Sequence, residues 1–237
     1  MPALRDDIDP DGLLEYSVVF SDRSLNSMSD AFGEVMRDIS RIMRNAYGAA
    51  SVTVVPGGGT YGMEAITRQF ANDARVLVIR NGWFSYRWSQ IMEAGRLASH
   101  TTVLAASQCD DNIDAPFAPC PLEDILKRIR AEKPDVVFCP HVETSAGMMM
   151  PDDFIHAVTG CVHEHGGIFV LDCVASGTVF VNLEETGVDV LLTAPQKGWS
   201  ASPCAALVMM SPHGRARLGE TTSSSFANDL KKWTQIM

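Results

Sequence analysis

The chain has 237 residues, of which 46% are hydrophobic and 20% charged, and this is enough to bury the core of one large domain. Its formal net charge of -10 argues against nucleic acid or an anionic membrane as a partner. No apolar run approaches the roughly 20 residues of a membrane span, and the N-terminus lacks a signal peptide's basic and apolar regions, so we expect a cytoplasmic location.

The first part of the chain predicts an arm followed by alternating helices and strands. Residues 1–17 are acidic and are interpreted as a loose N-terminal arm, with a short strand at 18–20. From Ser29, a possible cap, apolar residues recur at helical spacing as far as Gly48. The next elements predicted are a strand at 51–55, a helix at 63–71, a strand at 75–79 and a helix from Trp83.

The rest of the chain continues the same alternation. Further strands are predicted near 99–104, 135–139, 167–171, 188–193 and 205–210, with helices at 122–131 and 151–165 and a loop at 108–121. Most of these strands are near-continuous apolar runs. The pattern therefore predicts an α/β fold with a mainly parallel central sheet and helices on both faces, formed by residues 18–237.

A glycine-rich turn is the first candidate ligand site, because ligands of such sheets bind at the carboxyl ends of the strands. The segment Gly57–Thr60 follows a strand and opens a helix, so its N–H groups and the helix dipole would suit a phosphate. A plain tight turn is an equally good interpretation. The segment is not a P-loop, and it fits the G-x-G-x-x-G fingerprint only loosely.

Four other residues follow predicted strands. Asp172 ends an apolar strand, where a buried carboxylate needs a positive partner, although an Asp capping a turn is the alternative. Phe84 offers a flat ring or ordinary core packing, and Ser145 offers a hydroxyl. Lys197 could act as a Schiff-base lysine if it is held and partly desolvated, and otherwise it is a surface lysine.

Together these features match pyridoxal 5'-phosphate (PLP), which needs a phosphate cradle, an aromatic platform, a carboxylate for its ring nitrogen, a hydroxyl and a reactive lysine. Five segments in this order resemble the large domain of class V aminotransferases, fold-type I PLP enzymes related to alanine-glyoxylate and serine-pyruvate aminotransferases. The segments are Gly57–Ala65, Asn81–Arg87, Glu143–Gly147, Asp172–Ser176 and Gln196–Gly198.

The resemblance implies a role for each candidate residue. Lys197 would form the Schiff base with PLP and move the proton from the substrate, and Asp172 would pair with the ring nitrogen. The other implied cofactor contacts are Gly59, Thr60, Tyr61 and Gln196 at the phosphate, Phe84 and Val174 on the two ring faces, and Ser145 near the ring hydroxyl. The family also implies a homodimer with the active site at its interface.

The chain departs from the family pattern in three places. Residues 19–26 stand where the family has a Pro-Gly-Pro motif beside the substrate pocket, and Pro195 replaces a small or hydroxyl residue. After Ser225–Trp233 the sequence stops at Met237, where the family continues into a small C-terminal domain with the arginine that grips the substrate carboxylate. We interpret the chain as a truncated form lacking that domain.

The function implied is transfer of an amino group from a small amino acid, of the alanine or serine type, to a 2-oxo acid such as glyoxylate or pyruvate. A PLP lyase or desulfurase of the same fold is one alternative, and the desulfurase would need Cys109 or Cys120 on a mobile loop. An inactive fragment that serves only in binding or assembly is the other.

Two further patterns predict no site. The six cysteines are scattered without a C-x-x-C pair and are interpreted as reduced thiols. The segment His163–His165 could suggest a metal site, but helical residues two apart do not share a face. We therefore predict no metal in this chain.

Overall fold

The computed structural model describes residues 29–237. The predicted arm at 1–17, the strand at 18–20 and the departure at 19–26 lie outside the described residues. The chain divides into two units, residues 1–39 and 40–237. Of the first unit only residues 29–39 are described, and they lead into and begin the first helix. All the described strands belong to the second unit.

Side-chain caps mark where the first and last of the described helices begin. Ser29 accepts a hydrogen bond from the Phe32 N–H at 3.2 Å, as the sequence predicts, and Asp229 caps the last helix by accepting from the Lys231 N–H at 3.0 Å. The helices of the described residues are α1 (Asp30–Tyr47), α2 (Gly59–Phe70), α3 (Trp83–Gly95), α4 (Leu122–Glu132), α5 (Asp152–His163), α6 (Leu183–Thr186), α7 (Pro195–Gly198), α8 (Pro212–Glu220) and α9 (Leu230–Ile236). No helix among these residues has the length and apolar character to cross a membrane.

Three sheets are formed by the described strands. These strands are β1 (Ser51–Pro56), β2 (Arg75–Arg80), β3 (His100–Ala105), β4 (Ser107–Gln108), β5 (Phe117–Ala118), β6 (Val136–Pro140), β7 (Val142–Glu143), β8 (Met148–Met149), β9 (Ile168–Asp172), β10 (Val190–Thr193) and β11 (Ala205–Met210). The main sheet has the order β1-β11-β10-β9-β6-β2-β3. The pairs β4–β5 and β7–β8 form small antiparallel ladders.

The main sheet confirms the predicted fold class. Every pair from β10 to β3 is parallel, and only β11 runs antiparallel to its neighbours β1 and β10. All residues of β6, β9, β10 and β11 are buried. Because successive side chains of a strand point to opposite faces, both faces of these central strands are covered.

The register of the central strands determines which residues meet at the carboxyl edge. Asp172, the last residue of β9, lies level with Pro140 of β6 and with Leu192 of β10. The segments that follow these three strands therefore start side by side. They include the residues around Ser145, Val174 and Lys197, which the sequence places at separate strand ends.

Helix α2 approaches the sheet closely because Gly62 has no side chain. A Cβ at this position would lie 2.5 Å from both Ala206 Cβ and Leu192 Cδ1. On α3, Trp88 is fully buried, and its ring centroid lies 4.5 Å from that of Phe138 in β6. These contacts bring the first turns of α2 and α3 to the carboxyl edge of the sheet.

Some elements differ from the sequence prediction. The segment predicted as a loop at 108–121 takes part in the β4–β5 ladder, and the strand predicted from 188 begins at Val190. Helix α8 was not predicted, because its polar sequence lacks an apolar face. It is started instead by Ser211, whose Oγ accepts from the Gly214 N–H at 3.1 Å.

Candidate active site

A cavity of about 150 Å³ lies at the carboxyl edge of the main sheet. Its wall is built from the starts of α2 and α3, the segments after β6 and β9, and α7. Seven of the nine residues predicted for the site line it: Gly59, Thr60, Phe84, Asp172, Val174, Gln196 and Lys197. The remaining two, Tyr61 and Ser145, do not line it.

The start of α2 presents free backbone donors to this cavity. Its N-cap, Gly58, provides no side-chain cap, and within the described residues the N–H groups of Gly59 and Thr60 have no acceptor. A Cβ on Gly59 would lie 3.2 Å from Val174 Cγ2, so a larger residue would crowd the opposite wall. Unpaired N–H groups at the positive end of a helix dipole bind an anion such as a phosphate.

Asp172 lies in the cavity wall with only 8% of its surface exposed. Its Oδ1 accepts a hydrogen bond from the Val174 N–H at 3.0 Å. Burial raises the pKa of this carboxyl group to about 6, an effect that the nearby Glu143 reinforces and that Arg87 opposes. A cation placed beside Asp172 would favour its ionised form and lower this pKa.

The lysine turn follows β10 directly. Helix α7 is a single turn with Pro195 in its first turn, and Lys197 is exposed at the cavity wall. Gln196 Oε1 is buried in the same turn and has no hydrogen-bond partner among the described residues. An unpaired buried amide oxygen is expensive, and a ligand in this cavity that donated a hydrogen bond to it would remove the cost.

Aromatic packing holds the chain just beyond the lysine. The Trp199 ring lies against Phe180, with centroids 5.2 Å apart, and Phe180 meets Tyr47 edge-on at 5.5 Å. Trp199 Nε1 also donates to the Tyr47 hydroxyl at 3.4 Å. Lys197 therefore belongs to a turn that is anchored on both sides, by β10 and by this aromatic group.

Ser145 is bound to the start of α3. Its Oγ donates to Glu143 Oε1 at 2.6 Å and accepts from the Trp83 N–H at 2.9 Å. Glu143 in turn accepts from the Phe84 N–H at 3.1 Å and from both the N–H and the hydroxyl of Ser85, at 2.9 and 2.7 Å. Glu143 and Ser145 together therefore cap α3 and fix the position of Phe84.

Tyr61 also lies outside the cavity wall. Its side chain is 60% exposed and its ring packs over Gly57, whose φ of 116° and lack of a Cβ permit this approach. The Tyr61 carbonyl accepts a hydrogen bond from Asn228 Nδ2 at 2.8 Å. The position of Tyr61 stabilises the glycine turn and its contact with the segment before α9.

Arg87 and Thr144 line the cavity although the sequence analysis did not select them. Arg87 Nη1 donates to Thr60 Oγ1 at 3.3 Å, and its Cζ lies 5.1 Å from the centroid of the Phe84 ring. Arg87 is three residues after Phe84 on α3, so helical spacing could have placed it on the same face. Thr144 carries no such signal, because its position depends on the turn between β7 and β8.

His141, which is buried, is a further residue beside the site that the sequence did not single out. Its backbone N–H donates to the Asp172 carbonyl at 2.9 Å, and its Nδ1 lies 2.7 Å from Ser176 Oγ. Burial lowers the pKa of the imidazole. These bonds fix the chain at Asp172, the carboxylate in the cavity wall, and four residues after it.

The chain is similar to known proteins over about half of their length. No family model matches the chain. It is 30% identical to the soluble hydrogenase small subunit of Synechococcus sp. (strain PCC 6716), over 77% of this chain and 46% of that protein. It is 26% identical to the L-aspartate–glyoxylate aminotransferase of Paracoccus denitrificans, over 80% of this chain and 47% of that protein.

Solved structures share the fold. The alanine–glyoxylate aminotransferase from Nostoc sp. superposes with a TM-score of 0.73 at 25% identity, covering 88% of this chain and 55% of that chain. The chain therefore spans about half the length of the proteins it matches.

Proposed function

We propose that this homologue of the class V, PLP-dependent aminotransferases binds PLP in the cavity at the carboxyl edge of the sheet, with Lys197 as the covalent anchor. The observation that carries the proposal is that one cavity combines a primary amine, a buried carboxylate and the open start of a helix. The structural relatives and the parallel sheet support the same cofactor.

The residues of the wall fit the parts of the cofactor. The free N–H groups of Gly59 and Thr60, the Arg87 guanidinium and the side-chain NH₂ group of Gln196, which lines the cavity, would hold the phosphate. Val174 and Phe84 would pack against the ring. These assignments keep most of the roles predicted from the sequence and add Arg87.

Asp172 would act on the ring nitrogen. At 4 Å and an effective dielectric constant near 20, opposite unit charges attract by about 4 kcal/mol, which is enough to keep both groups ionised. When bound, PLP supplies an aldehyde carbon that bonds to amines and a ring that delocalises negative charge from the substrate. Lys197 Nζ would supply the amine and then hold or return the substrate proton.

Ser145 has a different role in this proposal from the one the resemblance implies. Its hydroxyl already donates to Glu143 and accepts from the Trp83 N–H. Ser145 would therefore affect the cofactor indirectly, by holding the start of α3 in place. Thr144, which lines the cavity, would be the nearer hydroxyl. Tyr61 would likewise support the glycine turn rather than touch the phosphate.

The reaction that we propose is transfer of an amino group from a small amino acid of the alanine or serine type to a 2-oxo acid such as glyoxylate or pyruvate. The names of the relatives include transaminases acting with glyoxylate and with pyruvate. Among the described residues no cysteine lines the cavity, so the structure does not favour the desulfurase alternative. We include a homodimer in the proposal because the resemblance implies one; Trp83, which precedes the cavity residue Phe84, is 63% exposed and would suit such an interface.

Trapping with borohydride tests the anchor. The protein is incubated with PLP, reduced and digested, and the pyridoxyl group is located by peptide mass spectrometry. We expect it on Lys197, and we expect Lys197→Ala to lose both the label and the yellow absorbance. A stable label on another lysine in the wild-type protein would refute the assignment.

Substrate choice is tested separately, by mixing the PLP-loaded protein with alanine, serine or glutamate and following conversion of the cofactor to its amine form. We expect conversion with alanine or serine, and loss of most of it in Asp172→Ala. PLP bound at Lys197 without conversion by any amino acid would favour a binding role over catalysis. Conversion unchanged in Asp172→Ala would remove Asp172 from the mechanism.

A further inference from the structure

A cluster of two histidines and one aspartate lies away from the cofactor cavity. His163 Nε2, at the end of α5, lies 2.8 Å from Asp189 Oδ2, and His213 Nδ1, in the first turn of α8, lies 3.0 Å from Asp189 Oδ1. The potential ligand atoms of the three residues all lie within 4.8 Å of one another. Two helices, α5 and α8, therefore converge on one carboxylate.

The burial of Asp189 makes this arrangement unusual. Its side chain is 0% exposed, and among the described residues no lysine or arginine pairs with it. Its oxygens also accept from the Phe169 N–H at 2.8 Å and from the Ser211 hydroxyl at 3.2 Å. A buried carboxylate needs positive charge or hydrogen-bond donors nearby, and among the described residues the ionisable groups in contact with it are the two imidazoles.

The cluster lies near the amino ends of the sheet strands, whereas the cofactor cavity lies at their carboxyl ends. Asp189 comes immediately before β10, whereas the Lys197 turn follows the end of that strand. The four residues of β10 span roughly 13 Å. None of the three cluster residues lines the cavity. A role in holding the cofactor therefore does not account for the cluster.

We propose that His163, Asp189 and His213 bind a divalent transition-metal ion of the zinc type. Two imidazole nitrogens and a carboxylate form the kind of mixed nitrogen and oxygen ligand set that zinc accepts, whereas magnesium and calcium prefer oxygen ligands. The rings are 36% and 44% exposed and stand at 85° to each other, with centroids 5.0 Å apart, so an ion can reach them from solvent.

The ion would replace two hydrogen bonds. Each liganding nitrogen must present a lone pair, so the proton would move to Nδ1 of His163 and to Nε2 of His213. The Phe169 N–H and the Ser211 hydroxyl would remain bonded to Asp189 and hold it in place, as second partners do around metal ligands. Three protein ligands would leave a coordination position for water.

The expected consequence is a clamp that joins α5, β10 and α8. Binding to the folded chain alone stabilises that chain, by an amount that grows with the free metal concentration. His165, two residues after His163, would not contribute, because its Nε2 lies 2.8 Å from the Pro134 carbonyl. In the proposed site the second ring comes instead from His213, which is distant in sequence.

The test uses the full chain without added PLP, because the cofactor itself can bind metals. The exposed Cys109 and Cys204 are replaced by serine so that free thiols do not bind the ion. Isothermal titration with Zn²⁺ and the visible absorbance of Co²⁺ measure binding, and thermal unfolding measures stabilisation. We expect one equivalent bound in the micromolar range or tighter, a Tm that rises with Zn²⁺, and no such rise with Mg²⁺.

His213→Gln is the decisive variant, because a glutamine can keep a hydrogen bond to Asp189 but removes the imidazole ligand. We expect it to fold and to bind Zn²⁺ at least tenfold more weakly. His156→Gln, an exposed histidine on the same helix as His163, is the matched control and should bind as the parent does. Absence of stoichiometric Zn²⁺ binding, or equal binding by His213→Gln, would overturn the proposal and leave the cluster as a hydrogen-bonded contact.

Discussion

Asp172 opposes stability in its ionised form, the form that the proposed function would need. Its raised pKa, about 6 against an ordinary value of 3.8, means that the folded chain binds a proton more readily than the unfolded chain between these values. The free energy of unfolding therefore falls as pH rises from about 4 to about 6, by up to about 3 kcal/mol from this group. The charge that would bind a ring nitrogen is thus unfavourable without a cation beside it.

Replacing this carboxylate by an amide tests the effect. We expect Asp172→Asn to match the wild-type protein near pH 4 and to be more stable, by up to about 3 kcal/mol, at pH 7.5 without cofactor. His141 is present in both proteins, so its titration largely cancels in the comparison. Urea denaturation at the two pH values measures the difference, with Asp111→Asn in an exposed loop as control. An equal difference at both pH values would contradict the prediction.

At the scale of an element, α3 depends on a residue far away in sequence. Glu143, which is 1% exposed, accepts four hydrogen bonds that order the start of this helix. Burial acts to raise the pKa of Glu143, but the hydrogen bonds from Ser145, Ser85 and Phe84 bring it below its ordinary value. Gly82 permits this cap, since a Cβ there would clash with Ser145 and Glu143.

Glu143→Gln should therefore loosen α3. One oxygen becomes an NH₂ group facing N–H donors, and we expect a loss of about 2–3 kcal/mol in the free energy of unfolding at pH 7. Because the folded-state pKa is lowered, the contribution of Glu143 is present above its ordinary value of 4.5 and is lost as pH falls through the folded value. Denaturation at pH 7 and pH 3 measures this, and a loss of the same size at both would contradict it.

The contact of α2 with the sheet gives a second prediction for an element. Gly62→Ala should lower stability by about 1–3 kcal/mol, because its Cβ would overlap Leu192 and Ala206. Gly160→Ala in α5 is the matched control: no atom lies within 4 Å of its Cβ position, so alanine should stabilise that helix by about 0.5–1 kcal/mol. Thermal unfolding measures the change in stability of both variants. Changes of the same sign in the two variants would refute the argument.

For the whole molecule, the proposed cofactor should couple the parts of the chain that form the cavity. PLP at 100 times its dissociation constant should stabilise the folded chain by about 2.7 kcal/mol, since it would bind α2, α3, β9 and α7 together. Differential scanning calorimetry with and without PLP measures this. Lys197→Ala should shrink the shift strongly, while Lys127→Ala on α4, outside the cavity wall, should leave it unchanged. If PLP stabilised the two variants equally, it would bind outside this cavity.

Much of the fold could be read from local sequence. Apolar runs such as Ile168–Leu171 predict buried parallel strands, and the regular alternation of such runs with amphipathic segments predicts the α/β class, which is confirmed. Helix α8 and the β4–β5 ladder were not predicted, each for its own reason. Helix α8 is polar and depends on its Ser211 cap, and the ladder has only two residues in each strand.

The candidate site was predictable in part. Lys197 and Asp172 were found because each follows an apolar strand, and parallel strands bring their carboxyl ends together. Arg87 was missed because charged residues on helices are usually solvated, and only its contacts with Thr60 and Phe84 show that it faces the cavity.

The sequence by itself determined the strands of the main sheet, most of the helices and the order of the motifs, because these depend on residues that are near one another along the chain. Only the tertiary structure decided that the Ser145 hydroxyl serves the start of α3, and that His213 joins His163 on Asp189. The physical reason is the same in both cases. A polar side chain forms its hydrogen bonds with whatever folding brings within about 3 Å, and that neighbour depends on strand order and register.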